Sequence, residues 1–278
     1  MRRPEDIADR IENIQQIEGV VVAMRGLATA HAQEARNHLT AIREQEATVA
    51  RAMANALALV PADLPHTAAG DGAHLKIVVG AAQGFSGLYN ERIVQAATEA
   101  ESLSPSDQFL LIGQRCITEF ETAGKPPVWS ANMAAHTSEI TTLASRVVDA
   151  LFRLLGQGRF SMVSILFSDP DGHEQSLVHR RLIPFDFARF ATVSPSATPL
   201  ITLPPRMLIE HLVEEYVFTE ICEALMLGFA AENDARMAAM SRARANVRRI
   251  RDDLRIEFAQ ARQEQTTTEI VELSVVPR

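Results

Sequence analysis

"AENDARMAAMSRARANV", residues 231 to 247, lies in a run from Arg206 to about Leu273 that contains no proline. The stretch is rich in alanine, methionine and arginine and poor in the large aliphatic residues of a core helix. A proline-free run of this length predicts one helix, on the order of 100 Å long if unbroken at ~1.5 Å per residue. Its first part is strongly apolar, with Leu208, Leu212, Val213, Tyr216, Val217, Ile221 and Leu225. Its second part thins to Met237, Met240, Ile250, Leu254, Phe258 and Ala261 among arginines.

The N-terminal segment reads as a second long helix. No proline falls between Pro4 and Pro61, and Pro4, Glu5 and Asp6 suit a first helical turn. Apolar residues recur at Ile7, Ile11, Ile14, Ile17, Val21, Met24 and Ala28. Those steps of three and four give the seam period of a coiled coil rather than the broader stripe of a globular helix. The pattern resumes through Ile42, Val49, Met53, Leu57 and Val60, and "PADLP" (61 to 65) stops it.

Between the helices the rhythm changes. "LKIVVG" (75 to 80), "QFLLIG" (108 to 113) and "SMVSILFS" (161 to 168) read as buried strands. Helices are expected near Arg92 to Ala100, before "GKPP" (124 to 127), and over 138 to 158. "DPDG" (169 to 172) reads as a turn and "QSLVHRRLIPF" (175 to 185) as a returning strand, which implies a mostly parallel sheet. Residues 61 to 73 and 186 to 205 read as connections. The expected organisation is an N-terminal helix over 1–60, an α/β domain over 74–190 and a C-terminal helix over 206–273.

Composition excludes several functions. Net charge is -8, which argues against a general binder of nucleic acid or anionic membrane. Lys76 and Lys125 are the only lysines, so positive charge is almost all arginine. Cys116 and Cys222 stand far apart with no CxxC context, so neither a disulfide framework nor a zinc site is expected. No signal peptide and no membrane span are expected, and the chain reads as soluble and intracellular.

No catalytic constellation emerges. The turn "GAAQGFSGLYN" (80 to 90) follows a strand, but Gly80, Gly84 and Gly87 match neither a P-loop nor a dinucleotide fingerprint. A tight strand-to-helix turn explains them. The eight histidines form no metal pattern, and Glu214, Glu215, Asp252 and Asp253 lack tuning partners. Ser86 is not in a nucleophile elbow. No cofactor and no metal are expected. Arg236, Arg242, Arg244, Arg248, Arg249, Arg251, Arg255 and Arg262 have few nearby acids. They form either a solvated face or a contact with an acidic partner.

The layout and end motifs together resemble the gamma subunit of F-type ATP synthases. "AENDARMAAMSRARANV" is similar to that family's Ser-Glu-x-x-Ala-Arg-Met-x-Ala-Met segment at Glu232, Ala235, Arg236, Met237, Ala239 and Met240. "ARQEQTTTEIVEL" (261 to 273) resembles its Arg-Gln-x-x-Ile-Thr-x-Glu ending at Arg262, Gln263, Thr267, Glu269 and Glu272. Ile7, Ile11, Ile14, Gln15, Ala23 and Met24 stand as the family's first helix places them. "GFSGLYN" (84 to 90) is similar to its Gly-Leu-Cys-Gly-Gly-x-Asn turn at Gly84, Gly87 and Asn90.

The resemblance implies an α/β fold class: an antiparallel coiled coil of the terminal helices with a small Rossmann-like domain between them. It implies a central-stalk rotor with no catalytic site of its own, coupling a proton- or sodium-translocating membrane ring to ATP synthesis or hydrolysis. Implied partners are a ring of alpha and beta subunits around the shaft, the epsilon subunit and the ring of c subunits. The location implied is the cytoplasmic face of the plasma membrane, peripheral, without direct insertion. Met24, Arg236, Met237, Gln263, Thr267, Glu269 and Glu272 are the residues implied for shaft–ring coupling. Ile201, Thr202, Leu203, Pro204 and Pro205 align with the loop that meets the membrane ring.

The sequence departs from the family at Ala82 and Gln83 (usually Asp-Arg), Ser86 (a cysteine), Val22 and His31 (lysines) and Thr266 (an isoleucine). These changes suggest a divergent branch, such as the alternate F-type ATPases carried beside a housekeeping enzyme. The competing reading is a coiled-coil adaptor with an α/β head, which the helices alone support equally.

Overall fold

The computed structural model describes residues 3–60, 72–99, 106–171, 176–190 and 200–275. Its elements in chain order are α1 (Pro4–Leu57), β1 (Ala73–Val79), α2 (Tyr89–Thr98), β2 (Gln108–Ile112), α3 (Gln114–Thr122) and β3 (Trp129–Ala131). Then come α4 (Ile140–Leu155), β4 (Phe160–Asp169), β5 (Ser176–Ile183) and α5 (Pro205–Val275). Most of the connection expected over 61–73, the "GHEQ" segment at 172–175 and the middle of 186–205 lie outside the described residues.

Two compact units divide the chain: Met1–Thr29 with Arg236–Arg278, and Ala30–Ala235. Both contain parts of α1 and α5.

The second unit is built on a sheet of order β3-β2-β1-β4-β5. β1, β2, β3 and β4 run parallel, and β5 returns antiparallel on β4. The period of two along each strand sorts side chains to opposite faces. Leu75, Ile77 and Val79 pack into one layer with α4 and the buried part of α5, while Val78 packs with α2 and α3 on the other side. β2 behaves the same way, with Leu110 and Ile112 on the first face and Phe109 and Leu111 on the second. β3 was not expected from sequence; its three residues pair with Leu110–Ile112 and inherit their conformation from that neighbour.

Every residue of α5 from Thr219 to Asn233 is buried. A helix buried on all sides must lie between layers. Here it lies between the sheet and α1, whose Ala35 and Leu39 share its core. Approach to the sheet is close: a Cβ on Gly228 would sit 2.6 Å from Val79 Cγ1. Within this unit α1 and α5 run antiparallel, because Arg36 pairs with Asp234, Arg43 with Glu223, and Gln45 with Glu215.

In the first unit, α1 turns inward at Ile7, Ile11, Ile14, Glu18, Val21, Met24, Arg25 and Ala28. This corrects one expected seam position. Ile17 is 49 % exposed, and Glu18 holds its place. The reason lies on α5, where Arg248 and Arg251 reach Glu18 at 3.0 and 2.7 Å. Met240, Val247 and Leu254 are the buried residues of α5 in this unit among those described, spaced by seven as a coiled-coil seam requires.

Candidate functional site

The glycine turn after β1 is the feature of the second unit that most resembles a ligand site, and its geometry assigns it another role. Gly80 leaves no room for a side chain, since a Cβ there would lie 2.3 Å from Cys116 Cβ. The next amides are occupied: Ala81 N–H donates to Asn90 Oδ1 at 3.1 Å, and Ala82 and Gln83 N–H donate to Glu232 at 2.9 and 3.2 Å. Asn90 also bonds Glu119, and Tyr89 Oη donates to the Gly228 carbonyl at 3.1 Å. A carboxylate of α5 therefore sits where an anion would sit in a phosphate loop. The turn is a socket for α5.

The same turn places two apolar side chains outward, Phe85 at 69 % and Leu88 at 73 % exposure. Phe85 has φ of 65°, a conformation that a bulky residue adopts only when its surroundings impose it.

Both cysteines are buried and poor nucleophiles. Burial pushes the Cys116 thiol up to about 12, with Glu119 adding to the effect. Burial likewise pushes Cys222 up to about 12, with a smaller contribution from Glu215. Neither is a thiolate near neutral pH. Among the described residues no group of three His, Cys, Asp or Glu side chains could hold a metal ion. Among them, too, no helix is long and apolar enough to cross a membrane.

The residues expected to couple shaft and ring fall into three sets. Met24 on α1 and Arg236 and Met237 on α5 are half-buried beside the seam of the first unit. Gln263, Thr267 and Glu269 are exposed on the last turns of α5, where every described side chain from Arg262 onward faces solvent. Gln263 and Thr267 line one shallow depression with Gln260, Glu264 and Thr268. Thr267 Oγ1 donates to the Gln263 carbonyl at 2.9 Å, and Glu269 accepts from Gln265 at 2.9 Å. Glu272 lies on the same helix, with its side chain outside the described residues.

The proposed foot residues precede or begin α5. Ile201 and Leu203 are 37 % and 40 % exposed, Thr202 and Pro204 are exposed, and Pro205 opens the helix half-buried. Leu200, entirely exposed, and Met207, 47 % exposed, enlarge the apolar group. Sequence reasoning missed Leu200 and Met207, as well as the outward pair Phe85 and Leu88. It also missed Glu18, whose distance of seven from both Ile11 and Arg25 was a usable signal. The hydrogen bond to Arg248 and the nearby Arg251 and Arg244 hold its carboxyl below the usual range, against a smaller opposing effect of burial.

A five-stranded, mostly parallel α/β layer packed on two long antiparallel terminal helices defines the fold class of the second unit. A family model described as ATP synthase matches residues 3–275, and the chain belongs to that family. It is 24 % identical over 296 residues to the ATP synthase gamma chain of Hyphomonas neptunium, covering 97 % of this chain and 96 % of the relative. The gamma chain of Erythrobacter litoralis is 25 % identical over 287 residues, with the same coverage. The fold is similar to the rotor of the Euglena gracilis mitochondrial ATP synthase, with a TM-score of 0.63 at 12 % identity over 95 % of this chain and 98 % of that one. It also resembles the central stalk of the Tetrahymena thermophila mitochondrial enzyme, with a TM-score of 0.57 at 16 % identity over 81 % and 99 %.

Proposed function

We propose that this chain is the central-stalk rotor of an F-type ATP synthase or ATPase, turning inside a ring of alpha and beta subunits. The observation that carries the reading is the family match across residues 3–275. In functional terms, 1–60 and 206–273 form the coiled-coil shaft and 74–190 the foot. Ile201, Thr202, Leu203, Pro204 and Pro205, in the connection between foot and shaft, meet the ring of c subunits, and epsilon binds beside the foot. The chain works at the cytoplasmic face of the plasma membrane as a peripheral subunit, and the coupled ion is a proton or a sodium ion.

The shaft's surface fits that work. Arg242, Arg248, Arg249 and Arg255 are exposed on α5 and offer cationic contacts to acidic surfaces of the ring. Exposed ion pairs are weak and quickly exchanged, so such contacts steer the shaft without holding it. Met24, Arg236, Met237, Gln263, Thr267, Glu269 and Glu272 form the coupling set, with Gln263, Thr267 and Glu269 exposed on the last turns of α5. The departures at Ala82, Gln83, Ser86, Val22, His31 and Thr266 support placement in a divergent, alternate branch of the enzyme.

A rotation assay tests the proposal. The chain is reconstituted with alpha and beta subunits of the same genome, the ring is fixed to a surface and a probe is attached to the foot. ATP should drive stepwise rotation in one direction. Free Brownian motion of the probe during full ATP turnover would refute the rotor reading.

A further inference from the structure

A second polar junction joins α5 to the sheet, and the resemblance assigned it no role. Glu220 and Glu223 are 1 % and 7 % exposed, where a carboxylate is sustained only by charged or hydrogen-bonding partners. Arg180, on the edge strand β5, supplies them to both. Its Nη1 bonds Glu220 and also Glu223, the latter at 2.7 Å. The guanidinium is itself braced over the Phe167 ring, 5.2 Å from the centroid. Glu223 is also reached by Arg43 of α1 at 3.1 Å, and Glu220 by Arg189 at 3.4 Å. One strand, both long helices and the turn after β5 are thereby tied through two carboxylates.

Apolar packing resists separation, but it is non-directional and opposes sliding or rolling weakly. Charge-assisted hydrogen bonds from a planar guanidinium fix direction as well as distance. The glycine-turn socket already holds α5 at Gly228 and Glu232. The Arg180 junction, at Glu220 and Glu223, lies one and a half to three helical turns away, roughly 8–18 Å along the axis. Two anchors at that separation prevent a helix from rolling on a sheet, where one would act as a pivot.

Resting on the rotor reading, we propose that Arg180 is a positioning residue for torque transfer, clamping α1 and α5 to the sheet so that twist passes between them without slip. Glu220 and Glu223 are its receivers, and Arg43 extends the clamp to α1. Cover over the sheet alone is supplied by the apolar core, so the clamp's distinctive effect is on stiffness.

The test has two arms, with Arg180→Gln, Arg180→Lys and, as control, Arg181→Gln at the neighbouring exposed position of β5. In the free full-length chain, hydrogen exchange is followed at amides of β5 and of α5 around Glu220. Losing a charge-assisted bond to a buried carboxylate should speed local opening about ten-fold or more in Arg180→Gln. Arg180→Lys should recover part of that protection, and Arg181→Gln should match the parent. In the assembled complex with ATP turnover arrested, angular fluctuation of a probe on the foot is measured against the fixed ring. Arg180→Gln should broaden it while one rotor per ring and the ATPase rate persist. Equal widths for Arg180→Gln and Arg181→Gln would overturn the torque role, and unchanged exchange would overturn the clamp itself. If Arg180→Gln fails to fold, Arg180→Lys together with Glu220→Gln carries both arms. Failure of the parent chain to assemble with the ring refutes the rotor reading, and the torque role with it, while exchange still reads the clamp.

Discussion

Glu18 of α1 accepts a hydrogen bond from Arg251 of α5 at 2.7 Å, at a seam position where an apolar residue is the rule. A polar seam residue fixes register at the expense of burial. Arg248 adds a second bond at 3.0 Å. Glu18→Gln should therefore lower the melting temperature of the chain at neutral pH and leave its helix content unchanged. Because the carboxyl is held below its ordinary 4.5, its contribution is present above that value and is lost as pH falls through the folded-state value. The difference between parent and variant, followed by thermal melts from pH 7 downward, should close below pH 4.5. A constant difference would assign the effect to packing.

Gly228 is required by proximity. Its missing Cβ would meet Val79 Cγ1 at 2.6 Å. Gly228→Ala should destabilise by about 1–3 kcal/mol through overpacking. Val79→Ala in the same chain should restore part of the loss, since it removes the obstructing methyl. Urea unfolding of the two single variants and the double variant measures the coupling; strictly additive losses would mean that Val79 is not the obstacle.

Glu232 closes the glycine turn from 150 residues away in sequence, through the amides of Ala82 and Gln83. Glu232→Ala leaves these donors without their acceptor and should cost about 1–3 kcal/mol. Limited proteolysis should then cut at the exposed Phe85 or Leu88, and Glu232→Gln should be milder because one acceptor oxygen remains. Equal resistance in the parent and Glu232→Ala would remove the socket role.

Acid sensitivity should begin with two histidines. Burial first, and Lys76 second, lower both His74 and His179 from 6.5. The unfolded chain then binds more protons than the folded one just below pH 6.5, so stability falls with acidification through the folded-state values. Asp234, raised mainly by burial, acts with the opposite sign. His74→Asn, at the half-buried member that bonds Ser164, should flatten the fall of melting temperature between pH 6.5 and the carboxylate range. A slope identical to the parent's would place the sensitivity elsewhere.

Much of the architecture was legible in the sequence because its signals are local. Freedom from proline marked α1 and α5, and the apolar runs at 75–80, 108–113 and 161–168 marked β1, β2 and β4. β3 was illegible because three residues, Trp129–Ala131, carry no pattern of their own and are ordered by pairing with β2. Ile17 misled because a step of three from Ile14 fits as well as a step of four, and only the arginines of α5 decide for Glu18. The roles of Glu232 and Arg180 depend on partners 149 to 150 and 40 to 43 residues away. No periodicity encodes such distances. The coupling set is proposed from resemblance alone, since among the described residues Gln263, Thr267 and Glu269 make only local helix contacts.

That last point sets a prediction for function. Gln263→Ala and Glu269→Ala alter exposed side chains and should change stability by no more than about 0.5 kcal/mol. In the reconstituted enzyme they should lower ATP-driven ion pumping per ATP hydrolysed. Unchanged pumping, measured as a quench of a pH- or sodium-sensitive dye alongside ATPase rate, would remove them from the coupling set.

Native mass spectrometry of this chain co-expressed with alpha and beta subunits from the same genome is the most direct test of the rotor assignment. The expected species holds three alpha subunits, three beta subunits and a single copy of this chain. A homodimer that leaves the alpha–beta ring empty would contradict the assignment and favour a coiled-coil adaptor.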